Sequence, residues 1–260
     1  GLRQFTLEAL VVDLNDFVKP YVEFGFVNDR THQEVAPSGL FRDSNPTDSI
    51  SGNYNVNCSN PFLSAQQLGV VGCSAGDIAA DLANPGSVTK NIRIGRRNVE
   101  GGPRISEYEH DNYRAVAGFR GDFATAWSYD AYGQYYYVNF FNSNDRYMSF
   151  NGINNALLVT GTRANPTCVS GGACVPYNIF EDGGVTPEAI NYLTLSGTGR
   201  GTTTLRTVHA DITGDLGNYN IRSPLADDGV AVNFGYEKRF EEVTFQPDAA
   251  EQSGDLSGFG

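Results

Sequence analysis

Long runs in which apolar and polar residues strictly alternate constrain this chain more than any other feature. From Val230 to Phe240 one face reads Val230, Val232, Phe234, Tyr236, Lys238, Phe240. The other reads Ala231, Asn233, Gly235, Glu237, Arg239. Successive side chains point to opposite sides of a strand, so this pattern builds a sheet with one apolar and one polar face. Trp127 to Tyr137 repeats it, with Trp127, Tyr129, Ala131, Gly133, Tyr135 and Tyr137 opposing Ser128, Asp130, Tyr132 and Gln134. From Thr204 to Leu216, Val208, Ala210, Ile212 and Leu216 oppose Thr207, His209, Asp211 and Thr213. Near the start, Val22, Phe24 and Phe26 oppose Glu23 and Gly25, after a weaker apolar row of Leu7, Ala9 and Val11. The expectation is an all-β chain.

Composition agrees. The chain holds 30 Gly, 14 Tyr and 16 Phe but one Met and one Trp, which favours strands and turns over helices. Charged residues are 18%, below the roughly 25% usual in soluble domains. The net charge of −12 argues against a nucleic-acid partner, since a phosphate backbone requires a basic patch. Arg93, Arg96, Arg97 and Arg104 form the one basic cluster in the sequence. Glu100, Glu107 and Glu109 flank it, so it reads as a solvated face.

The links between the alternating runs come in two lengths. Short turns sit near 14–19, 121–126 and 216–228, and long links run from about 36 to 87 and from about 142 to 201. Strands with one apolar and one polar face, joined alternately by short turns and long loops, describe a transmembrane β-barrel. No stretch of the sequence reaches the roughly 18 consecutive apolar residues of a membrane helix. The expected architecture is therefore an antiparallel sheet from part of such a barrel, with long loops at one end and short turns at the other. The whole of 1–260 is read as one β-rich unit. The run 89–98 breaks the alternation of links and reads as an extension leading into a strand over 108–119.

Cys58 and Cys73 form one local pair and Cys168 and Cys174 another, each within a Gly-, Ser-, Asn- or Pro-rich link. Histidines are few and isolated (His32, His110, His209) and the cysteine spacing is not that of a zinc site, so two loop disulfides are expected. The sequence opens without a signal-peptide pattern, and for an exported protein the start is expected to be missing or to have been removed.

Candidate chemistry is sparse. Gly72-Cys-Ser-Ala-Gly76 matches G-x-S-x-G, but a nucleophile elbow needs a strand before it and a helix after it. A turn of small residues is the expected reading. Asp13, Asp16, Asp77, Asp81, Asp227 and Asp228 miss the calcium-loop register and are read as turn formers. Tyr132, Tyr135, Tyr136 and Tyr137 are read as an aromatic girdle at a membrane interface, or as packing against a neighbouring sheet, rather than a ligand platform. No catalytic, cofactor or metal residues are assigned, and no enzyme activity is expected.

One set of motifs carries a resemblance. Ile94-Gly-Arg-Arg-Asn-Val-Glu-Gly-Gly102 is followed by Tyr113-Arg-Ala-Val-Ala-Gly-Phe-Arg-Gly-Asp122 and Trp127-Ser-Tyr-Asp-Ala-Tyr132. Asn60-Pro-Phe-Leu-Ser-Ala-Gln66, Cys174-Val-Pro-Tyr-Asn-Ile-Phe180, Gly183-Gly184, Gly214-Asp-Leu216, Pro247-Asp-Ala-Ala250 and Gln252-Ser-Gly-Asp-Leu256 keep the same order. Together they resemble the TonB-dependent outer-membrane receptors of Gram-negative bacteria. The resemblance implies a 22-stranded barrel around an N-terminal plug, importing scarce nutrients. No part of this sequence resembles the plug, the energy-coupling box or the aromatic-ended last strand, so a mid-barrel fragment of about six membrane strands is implied. The implied partners are outer-membrane lipid and the rest of a receptor barrel. The alternative is structural: open sheet edges that self-associate into a fibre or tube, outside the cell.

Overall fold

A computed structural model describes residues 3–41 and 54–257. In chain order the strands and helices are β1 (Arg3–Val11), β2 (Lys19–Pro37), β3 (Gly39–Phe41), β4 (Tyr54–Asn57), α1 (Ala65–Val71), α2 (Ala75–Ala83), β5 (Thr89–Ile92), β6 (Gly95–Arg97), β7 (Pro103–Ala124), β8 (Trp127–Ser149), α3 (Phe150–Ala156), β9 (Val159–Thr162), β10 (Asn165–Cys168), α4 (Pro187–Leu193), β11 (Thr194–Asp215), β12 (Ala231–Pro247), α5 (Ala249–Gln252) and β13 (Leu256–Ser257). The fold is mostly β, and its dominant element is an antiparallel sheet ordered β1-β2-β7-β8-β11-β12. The long strands β2, β8, β11 and β12 carry the alternating runs of the sequence, and β7 covers the strand expected over 108–119.

The chain packs as two compact units. Unit 1 comprises 1–31, 108–142 and 200–246, and unit 2 comprises 32–107, 143–199 and 247–260. The three short connections all belong to unit 1. Thr125 and Ala126 alone join β7 to β8. The β1–β2 turn is closed by the Val18 amide donating to Asn15 Oδ1 at 2.9 Å. Both long links belong to unit 2, and these are not structureless. They hold four short helices, α1 to α4, the two-stranded sheet β9–β10, the strands β3 and β4 that pair with β6 and β5 just beyond the first link, and a buried apolar cluster that includes Leu40, Tyr54, Met148, Ile153, Tyr177 and Leu193. The stretch 42–53, inside the first long link, lies outside the described residues.

Two local expectations need correction. The run 89–98 is not one strand extending into the next. It splits into β5, paired with β4, and β6, paired with β3, and a single 3-10 turn at Val99–Gly101 separates it from β7. The row Leu7, Ala9, Val11 is also interrupted. The β1–β2 register shifts between Leu7 and Leu10, so Leu10 lies across from Val22 and Val11 across from Tyr21. A β-bulge transfers the following side chains to opposite faces.

Both disulfides form as paired in the sequence reading. Cys58–Cys73 has Cα atoms 5.6 Å apart and Cys168–Cys174 6.0 Å apart, within the ordinary range.

Candidate functional site

The feature of unit 1 with functional content is the contrast between the two faces of its sheet. One face carries Val22, Phe24, Phe119, Phe123, Tyr135, Val208, Ile212, Phe234, Tyr236 and Phe240. Their exposures run from 42% for Ile212 to 69% for Phe234. The opposite face is polar, and Tyr21, Val116 and Thr207 on it are buried, while Arg114 and Arg239 remain exposed. A sheet in water normally hides its apolar side. Here that relation is inverted. The main buried apolar cluster among the described residues lies wholly in unit 2.

The polar face is held by several groups of hydrogen bonds and ion pairs. Tyr21 Oη donates to Asp130 Oδ1 at 2.8 Å. Arg114 bridges Glu23 at 2.8 Å and Gln134 at 3.0 Å. His209 stacks on Tyr132 with ring centroids 4.9 Å apart, and its Nε2 lies 3.0 Å from Asp211 Oδ2. Glu237 lies 3.5 Å from His209 Nδ1 and 2.6 Å from Arg239 Nε. Asn233 Nδ2 donates to Asp211 at 3.1 Å and to Thr213 at 2.7 Å. Tyr21 reaches Asp130 across Gly118, where an added Cβ would sit 2.6 Å from its ring. Hence a glycine is required there.

The apolar face has edges. Near the short turns, Phe123 lies 6.4 Å from both Trp127 and Tyr129, centroid to centroid. Farther along the same strands, Tyr113 lies 5.1 Å from Phe26 and 6.3 Å from Tyr137. Beyond this second cluster the same face turns polar. Asn28 donates to Asp111 at 2.7 Å and Arg30 Nε to Glu109 at 2.9 Å. About ten residues separate Tyr113 from Phe123, or ~33 Å along a strand. Of the four sequence-predicted girdle tyrosines, Tyr135 and Tyr137 lie on the apolar face. Tyr132 and Tyr136 lie on the polar one, where Tyr136 Oη donates to Asn112 at 2.9 Å.

The other sequence candidates resolve as structural parts. Gly72 is the left-handed C-cap of α1, at φ +83°, and Ser74 is the N-cap of α2, its hydroxyl accepting from the Asp77 amide. A helix, not a strand, precedes Ser74, so the nucleophile elbow is not built. Asp77 closes that capping box and pairs with Lys90 at 3.3 Å, and these bonds hold its carboxyl below the usual range. His32 sits between Glu107 and Glu34, and hydrogen bonding to them raises its pKa. No group of three or more metal-ligating side chains occurs among the described residues.

Sequence reasoning read Asp81 as a turn former, and it does accept from the amides of the turn after α2, but its burial was not foreseen. It is fully buried in unit 2 and accepts from the Ser59 amide at 2.7 Å, Ser59 Oγ at 2.5 Å, Asn57 Nδ2 at 2.9 Å, the Gly86 amide at 2.9 Å and the Val88 amide at 3.1 Å. Burial raises its pKa, but these donors outweigh burial and hold the carboxyl below its ordinary value. Asn57, which the sequence shows in an N-x-S triplet, is likewise buried and bonded to Val159 on both sides of its amide.

Comparison with protein-family models, curated proteins and solved structures returns no match for this chain.

Proposed function

We propose that unit 1 is a stretch of outer-membrane β-barrel wall, and that the chain is part of a TonB-dependent receptor that takes up nutrients. The observation that carries this reading is the inverted sheet: a banded, exposed apolar face backed by a charged, hydrogen-bonded face. Lipid is the partner such an apolar face fits, and a polar lumen is what the polar face fits. Each Phe, Ile or Val moved fully out of water contributes about 1.5–3 kcal/mol, so a face of this extent left in water would be strongly unfavourable. The short connections of unit 1 suit the turns of such a barrel. The receptor identity rests on the ordered motifs of the sequence, and the transported nutrient is left open.

Trp127 makes the test simple, because it is the one tryptophan of the chain and borders the apolar band. The protein should remain with membranes until detergent is added. Its tryptophan fluorescence should be quenched by lipids brominated on their acyl chains. Release into buffer without detergent, with unquenched emission, would end the lipid-facing reading.

A second reading is favoured by one observation. Among the described residues, β1 and β12 are the two ends of the sheet, each hydrogen-bonded to one neighbour. Open edges pair with further strands, supplied by the rest of a barrel or by copies of the same chain. Self-assembly through these edges into a fibre or tube would give material that pellets from water without detergent.

A further inference from the structure

We infer that unit 2 carries a binding groove for a small organic anion with an apolar body, seated between α1 and the Ile92–Arg96 stretch with its negative group on Arg93. The groove has a volume of about 560 Å³, within the range of small-molecule sites. Its walls are chiefly Leu63, Val71, Ile92, Ile94, Ile179 and Phe180. Apolar walls with few polar groups select a ligand whose body is hydrophobic.

The charge comes from one residue. Arg96, which also lines the groove, is paired with Glu100 and donates to Tyr177 Oη at 3.2 Å. Lys90, Arg97, Arg104, Arg146 and Arg163 each have a carboxylate or carbonyl partner. Among the described basic residues of unit 2, Arg93 alone has neither a hydrogen bond nor an ion pair. It is exposed and lines the groove. In a chain of net charge −12 an unpartnered guanidinium beside an apolar pocket is complementary to an anion, and a carboxylate takes its fork geometry best.

The walls are set before any ligand arrives. Gln67 Oε1 accepts from the Ser64 amide at 2.8 Å while its Nε2 donates to the Phe180 carbonyl at 2.9 Å, tying α1 to the opposite wall. The Cys58–Cys73 disulfide fixes the other end of α1. A groove already held open loses less entropy on binding than one that must form.

The test is calorimetric titration of the full chain in lipid nanodiscs with 1-naphthoate and its neutral analogue 1-naphthylmethanol, on wild type and Arg93→Gln. The site lies wholly in unit 2. If membrane insertion fails, the same titration is run in plain buffer, and the two readings fail separately. The expected result is saturable binding of both ligands to wild type. Arg93→Gln should weaken naphthoate about tenfold, the loss of one charge-assisted contact, and leave the alcohol unchanged. Ile179→Asp, which spoils the shared apolar wall, should weaken both. Three results would overturn the assignment: no saturable naphthoate binding, equal naphthoate affinity in wild type and Arg93→Gln, or equal loss of both ligands in Arg93→Gln.

Discussion

Asp81 concentrates the polar chemistry of unit 2 in one side chain. Its five donors come from β4 and the turns after it and after α2, so it ties the two-stranded β4–β5 sheet to the helical segment. Asp81→Ala removes the acceptor of the Ser59, Gly86 and Val88 amides and should destabilise unit 2 by about 1–3 kcal/mol in denaturant titration. The sign of the pH effect follows from the lowered pKa. The contribution is fully present above the unfolded carboxylate value near ~3.9 and is lost as pH falls through the lower folded value. Asp81→Asn should flatten that acid limb of the stability curve relative to wild type. None of this was legible in the sequence, where Asp81 is one acidic residue among many in a link. Burial of an aspartate depends on donors brought from Asn57, Ser59, Gly86 and Val88, and no local pattern announces them. Cysteine pairing was legible because proximity in sequence alone places the partners in reach.

At the scale of elements, the disulfides and the strand faces make separate predictions. Closing a loop of 15 residues at Cys58–Cys73 and of 6 at Cys168–Cys174 stabilises by about 3 and about 2 kcal/mol in the chain-entropy model. Serine pairs at each site should lower the unfolding midpoint of unit 2 in that order. On β12, Phe234 is 69% exposed. In water Phe234→Arg would change stability within about 0.5 kcal/mol, whereas on a lipid face it should cost about 2–4 kcal/mol near mid-bilayer. Folding yield into liposomes separates these outcomes. The strand faces were readable where period two holds, as from Val230 to Phe240; it fails at the β1 bulge, where one extra residue resets the parity, and in β12 beyond Phe240, where Val243 and Phe245 fall on the other parity. The helices were not readable, because α1, α3 and α4 have seven residues each, too few for a helical period to emerge. Their trace was in the caps: Ser64 with Gln67 and Ser74 with Asp77 are capping boxes spelled out in sequence.

For the whole molecule, the account rests on where apolar surface is buried. Unit 2 hides its own, around Leu40, Tyr54, Met148 and Tyr177, and is built as a domain in water is built. Unit 1 does the reverse, packing Tyr21, Val116 and Thr207 on its polar side and leaving Phe24, Ile212 and Phe234 outward. Alternation in sequence could not distinguish these cases, since it states that a face is apolar and not what covers it. The most direct test places single spin labels in turn at Val232, Asn233, Phe234, Gly235, Tyr236 and Glu237 of β12 in the membrane-reconstituted protein, and measures collision with oxygen, which concentrates in lipid. The account predicts a period-two profile with maxima at Val232, Phe234 and Tyr236. Maxima at Asn233, Gly235 and Glu237, or a flat profile with every site equally open to a water-soluble relaxant, would contradict it.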